Sequence, residues 1–150
     1  MNYTIAFFIA LMATALALGG PLAHLLEFSN KIELPRDQYF VVQAIYAGWN
    51  RLAYLLAIQF VSIIAVLVFA RNEPIVFWSV VVSLLFLIAA QAVFWVFTYP
   101  ANVATKNWTS IPENWDVLRR QWEYSHVMGA LLQILSMGAL CVAALARMRS

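Results

Sequence analysis

Four long apolar runs, at about 4–26, 40–70, 75–98 and 121–146, occupy most of this 150-residue chain. Each is at least the ~20 residues that a helix rising ~1.5 Å per residue needs to cross a ~30 Å hydrocarbon layer. Little remains for a separate soluble domain, and residues 1–150 read as a single transmembrane domain. Side chains are 64% apolar and 11% charged, whereas soluble proteins average roughly half and a quarter. A segment such as Phe60-Val61-Ser62-Ile63-Ile64-Ala65-Val66-Leu67 lacks the alternation of a membrane barrel strand, and helices are the other way to satisfy the backbone in lipid. The expected fold is all-α, an integral membrane four-helix antiparallel bundle with helices over about 4–28, 40–70, 75–98 and 111–147.

Punctuation within the runs refines this reading. The first run has no basic leader ahead of it and outlasts the apolar core of a signal peptide, so it reads as a retained helix. Gly19-Gly20-Pro21 predicts a kink or widened turn before His24, and Pro35 marks the first loop. Arg71-Asn72-Glu73-Pro74 predicts a short turn that makes the second and third helices a tight hairpin. The third helix is expected to end near Tyr99-Pro100. Ser110-Ile111-Pro112-Glu113 has capping-box spacing and predicts the start of the last helix, which enters the membrane around Trp122.

Up-down order puts both chain ends and the 71–74 turn on one face, and the polar stretches 27–40 and 99–120 on the other. Trp49, Trp95, Trp108, Trp115 and Trp122 lean towards the long-loop face and Trp78 towards the short one, an excess beyond two symmetrical interfacial belts. Lys31, Arg36, Arg51, Lys106, Arg119 and Arg120 lie near the long-loop face, against Arg71, Arg147 and Arg149 opposite. This favours a cytoplasmic long-loop face, though the balance levels if Arg51, Arg119 and Arg120 pair with acidic groups. Nine basic against seven acidic residues, with no basic stripe, argue against a nucleic-acid partner. The single Cys141 excludes an intramolecular disulfide and reads as a small buried apolar residue.

The chemistry-bearing residues gather at the long-loop end. His24-Leu25-Leu26-Glu27 and Glu123-Tyr124-Ser125-His126 each place an imidazole and a carboxylate one helical turn apart. Glu-x-x-His pairs on bundle helices are used in di-iron proteins, but a full di-iron site needs glutamates that the second and third helices lack. His24, Glu27, Glu123 and His126 could hold a single transition metal, His24 and His126 could ligate haem, or the pairs could simply lock the first helix to the last. Gln43, Tyr46 or Ala47, Asn50 and Tyr54 form one stripe at the same depth, with Arg51 beside it to pair with Glu27 or Glu123 or to snorkel. Ser79, Ser83, Gln91 and Gln133 fit interhelical hydrogen bonds.

The segments Ala23-His24-Leu25-Leu26-Glu27, Val42-Gln43-Ala44-Ile45-Tyr46-Ala47-Gly48-Trp49, Tyr99-Pro100-Ala101-Asn102 with Asn107-Trp108-Thr109, and Leu118-Arg119-Arg120-Gln121-Trp122-Glu123-Tyr124-Ser125-His126 resemble the small four-helix bacterial membrane proteins grouped with anthrone-oxygenase-like proteins. The resemblance implies a multi-pass protein of the bacterial inner (cell) membrane. The activity it implies is that of distant fungal members, insertion of oxygen into an activated polycyclic phenol.

The functional expectation is a membrane oxidoreductase or oxygenase acting on a lipophilic aromatic or quinone-like molecule. The substrate is bound by Gln43, Tyr46, Trp49, Asn50, Tyr54 and Trp122, with His126 or Glu123 removing a proton. The alternatives are a non-catalytic haem-, metal- or lipid-binding accessory subunit of a membrane complex and a purely structural membrane protein. Expected partners are the lipid bilayer, a lipophilic small molecule, and another copy or a membrane-complex subunit.

Overall fold

The computed structural model describes residues 2–149. Six α-helices form it, with no strand among those residues: α1 Tyr3–Lys31, α2 Arg36–Gln43, α3 Leu52–Phe69, α4 Pro74–Val93, α5 Tyr99–Ala104 and α6 Trp115–Arg147. Tyr3–Lys31, Trp49–Asn72, Pro74–Ala104 and Trp115–Arg147 are long and apolar enough to cross a membrane. The molecule is thus an all-α bundle compatible with a multi-pass membrane protein.

α1 packs against both α3 and α6, while α4 lies chiefly on α6. α3 and α4 share a tight turn, closed by Ala70–Asn72 and Pro74, yet touch far less than α1 and α3 or α4 and α6 do, so the expected tight hairpin is joined at the turn and splays beyond it. The core in the short-turn half contains Ala6, Ala10, Ile63, Val66, Val80, Leu87, Leu140 and Ala143. Small side chains on α1 and α6 let backbones approach, and in lipid such packing supplies much of the association energy. Further along, the Ser136 hydroxyl donates to the Ser83 carbonyl at 2.9 Å and accepts from the Ser83 hydroxyl at 3.0 Å. Phe8, Leu16, Val61 and Leu85 face outward, as a lipid-solvated surface allows.

Several local expectations are corrected. α1 runs unbroken through Gly19-Gly20-Pro21 and on to Lys31, about one turn past its expected end. Gly20 serves close packing there, because an added Cβ would sit 2.8 Å from Leu52 Cδ1. The widened turn occurs instead at Phe94–Thr98, a π-helical turn just ahead of Pro100. Proline lacks an amide hydrogen and crowds the carbonyl four residues back, and a wider turn relieves that conflict, so the third span continues to Ala104.

The second span is not a continuous 40–70 helix. α2 ends at Gln43, 3₁₀ turns follow at Ala44–Tyr46 and Trp49–Arg51, and Gly48 between them has φ +85°. A left-handed glycine ends a helix cheaply. The Ser110–Glu113 capping box does not form: Ser110 N–H donates to the Thr105 carbonyl at 3.0 Å, and α6 starts at Trp115 without a side-chain cap.

The two ends meet on the short-turn face, where Arg147 Nη2 lies 3.3 Å from Thr4 Oγ1 and the guanidinium lies 3.8 Å from the centre of the Tyr3 ring. Met1 and Ser150, which the antiparallel reading places on one face, lie outside the described residues. In a Cys141→Ser background, cysteines at Asn2 and Arg149 should react with an impermeant maleimide from the same side of a proteoliposome. A cysteine at Thr109 should react only from the other.

Candidate functional site

The extra turn of α1 carries Lys31 into the protein, where it is 3% exposed. Its ammonium donates to the Tyr46 hydroxyl at 2.7 Å and lies 3.3 Å from Glu27 Oε1 and 3.1 Å from Glu123 Oε1. The Tyr46 and Trp122 ring centres are each 4.4 Å from it. Glu27 Oε1 also accepts from the Tyr46 hydroxyl and, at 2.8 Å, from His24 Nδ1. Glu123 is fully buried and accepts from the Tyr39 hydroxyl at 2.8 Å, which in turn accepts from Gln43 Nε2 at 2.5 Å. Burial, and then the Glu123 carboxylate, push the Tyr39 phenol far above its usual pKa; burial, and then the Glu27 hydrogen bond, do the same for Tyr46. Both phenols therefore remain protonated donors. A charge taken out of water must be paired and hydrogen-bonded, and this network does so from α1, α2, the 3₁₀ turn and α6 together.

Lys31, a loop charge by sequence, is a buried member of the candidate site. The signal was the four-residue step from Glu27, which continues the His24–Glu27 face for one more turn.

Beside the network sit the imidazoles. His24 lies 21 residues from Tyr3 along α1 and His126 lies 21 residues from Arg147 along α6. Both are thus ~31 Å from the short-turn end, at the far edge of a ~30 Å hydrocarbon layer. Their ring centres are 4.2 Å apart, and Trp122 lies 5.0 Å from His24 and 3.9 Å from His126. Tyr46 and Trp49 flank His24 at 4.6 and 5.4 Å.

His126 Nδ1 bonds the Trp122 carbonyl at 2.9 Å, which can only accept, and the carboxylate at His24 Nδ1 is likewise an acceptor. Each ring therefore carries its proton on Nδ1 when neutral, and each Nε2 keeps an unused lone pair. Neither Nε2 is hydrogen-bonded within the described residues.

The structure thus brings His24, Glu27, Glu123 and His126 to one end, with Gln43, Tyr46, Trp49 and Trp122 around them. It does not assemble them as proposed. Glu123 bonds Lys31 and Tyr39 rather than His126, because a helix that buries position 123 turns its carboxylate towards α1 and α2. Among the described residues no three His, Cys, Asp or Glu side chains are grouped to hold a metal ion. The Lys31 ammonium fills the space between the two carboxylates that a cation would need.

Haem between the imidazoles is a poor fit too. Two nitrogens opposed across one iron at ~2 Å each lie about 4 Å apart, with ring centres farther still, while the centres here are 4.2 Å apart. Asn50 is exposed and Tyr54 is 76% exposed, so neither lines the site. The break at Gly48 shifts their register away from that of Gln43. Arg51 is exposed and bonds neither glutamate.

The loop after α5 closes the site. Lys106, Asn107 and Trp108 have φ of 50°, 55° and 63°, a left-handed turn that costs on the order of 1 kcal/mol per residue. Thr105 Oγ1 accepts the Trp108 N–H at 3.0 Å, and the Asn102 carbonyl accepts the Asn107 N–H at 2.7 Å. The turn drives Trp108 against Tyr39 and Trp122, and Asn102 Oδ1 accepts both indole N–H groups, at 3.2 Å from Trp108 and 2.8 Å from Trp122. The Pro100-Ala101-Asn102 segment therefore positions indoles. Trp95 and Trp78 point outward at 59% and 63% exposure, as an interfacial belt would.

On the outer side of Trp49, a crevice of about 400 Å³ runs between α1 and the start of α3, lined by Gly19, Gly20, Trp49, Arg51, Leu52 and Leu55.

Comparison with protein-family models, curated proteins and solved structures finds no match for the chain. Its function is therefore argued from the site. The network makes a first prediction: Lys31→Met, which leaves two inward carboxylates without their cation, should lower stability by about 3–5 kcal/mol. Adding Glu123→Gln should recover part of that loss in detergent unfolding. A milder prediction concerns the loop, where Asn107→Gly should be neutral or stabilising by up to about 1 kcal/mol in the same measurement.

Proposed function

We propose that this chain is a membrane oxidoreductase or oxygenase-like protein acting on a lipophilic aromatic or quinone-like molecule at the His24–His126 pair. The observation that carries this reading is the pair of imidazoles, each with Nδ1 committed and Nε2 free, set among indoles and phenols at the edge of the hydrocarbon layer. Flat aromatic walls suit a ring-shaped ligand. A carboxylate behind an imidazole fixes its tautomer and orientation, as general-base work requires.

In this reading the base is His24, which has Glu27 behind it, with His126 as its neighbour. Glu123 serves as counter-ion to Lys31. A phenolic proton passes to Nε2, and the phenolate left behind gives electrons to dioxygen more readily than the phenol would. The Lys31 ammonium supplies fixed positive charge near the developing anion. The resemblance of Trp122-Glu123-Tyr124-Ser125-His126 to anthrone-oxygenase-like proteins supports the same chemistry.

A second reading, a metal-carrying accessory subunit, is favoured by one feature. Nδ1 support from a carboxylate and a carbonyl is also how metal-bound histidines are oriented. Metal analysis and an absorption spectrum of the purified protein separate the two readings.

The test is oxygen uptake by the protein in nanodiscs with an anthrone-type phenol. His24→Ala and His126→Ala should each cut the rate about 100-fold or more. Cys141→Ser, among apolar neighbours on α6, should leave it unchanged. Folded histidine variants that keep the wild-type rate would overturn the catalytic reading.

A further inference from the structure

Arg51 sits on the last 3₁₀ turn before α3 with no hydrogen bond, ion pair or ring contact among the described residues. The two glutamates within reach in the sequence reading are already engaged by Lys31. Arg51 instead lines the crevice between α1 and α3, together with Trp49, Gly19, Gly20, Leu52 and Leu55. A Cβ added to Gly19 would meet nothing within 4 Å, so this wall is open space. Around the crevice the surface is apolar and outward-facing: Leu16 is 55%, Tyr54 76% and Ile58 48% exposed. One end thus carries an exposed, uncompensated cation at the level where α3 begins. The remainder is an apolar trough towards the middle of α3.

We propose that this crevice binds an anionic phospholipid of the surrounding bilayer, its phosphate on Arg51 and an acyl chain over Gly19, Gly20, Leu52 and Leu55. An uncompensated arginine selects an anionic head, for which a zwitterionic head is a weaker match. The missing side chain of Gly19 leaves the groove open for a methylene chain, while Gly20 lets Leu52 pack closely on α1 to form its floor, and its outward opening makes the bilayer the source. The site is separate from the imidazole pair, with the Trp49 ring between them, 5.4 Å from His24 on its inner side. The assignment holds whether or not the imidazoles are catalytic.

Trp49 also reports occupancy. The protein is placed in phosphatidylcholine nanodiscs containing a minor fraction of brominated-chain phosphatidylglycerol, brominated-chain phosphatidylcholine or brominated free fatty acid. Trp49 emission is isolated by difference against Trp49→Phe. Brominated phosphatidylglycerol should quench Trp49 several-fold more than brominated phosphatidylcholine. Arg51→Gln should remove that preference, Arg36→Gln on the same face should leave it, and Gly19→Leu should weaken quenching by both lipids. Equal quenching by the two phospholipids, a preference that survives Arg51→Gln, or fatty acid matching phosphatidylglycerol would overturn the assignment.

Discussion

The ammonium of Lys31, held between Glu27 and Glu123 under the rings of Tyr46 and Trp122, sets the geometry of the long-loop end. An ion withdrawn from water costs several kcal/mol unless partners surround it, and here the partners come from α1, the turn after α2, and α6. Those elements must therefore meet at one point. The 84-residue separation of Tyr39 and Glu123 is closed by the same network, which lays α2 across the bundle end. His24 precedes Lys31 by two turns on α1, and His126 follows Glu123 by one turn on α6. Fixing the ion pair thus fixes the distance between the imidazoles.

This arrangement changes what the polar residues can do. A cation already built into the chain takes the place between the carboxylates that a bound metal would occupy, and Glu123 Oε1 is engaged by Lys31 and Tyr39. Each histidine keeps an uncommitted Nε2 lone pair, backed in one ring by Glu27 and in the other by a helix carbonyl. Indoles held by Asn102 and a left-handed turn at 106–108 complete the surroundings. In the function proposed above, these surroundings orient an aromatic ligand whose proton passes to an imidazole.

The two halves of the bundle divide the work. The short-turn half is an apolar core with alanines at close helix approaches, and the long-loop half carries the ions and aromatic rings. The break at Gly48 comes just before the second span, Trp49–Asn72. Irregular, exposed backbone is tolerable there because it lies outside the hydrocarbon-spanning helix. It leaves the crevice on one side of Trp49 and the imidazole pair on the other.

Hydrophobic run length by itself determined the four spans, their antiparallel order and the end of the molecule at which chemistry gathers, because these follow from the cost of exposing a backbone to lipid. The i,i+3 spacing likewise brought His24 and Glu27 into contact. Tertiary structure alone decided the rest. Whether Lys31 faces water or the interior depends on the carboxylate of Glu123, far along the chain on α6. Whether Glu123 meets His126 depends on a competing cation and phenol from other helices. The outward turn of Asn50 and Tyr54 depends on a single glycine whose left-handed backbone resets the helical phase. Periodicity records how often a side chain returns to one face of its own helix, whereas the partner waiting at that face is set by long-range packing.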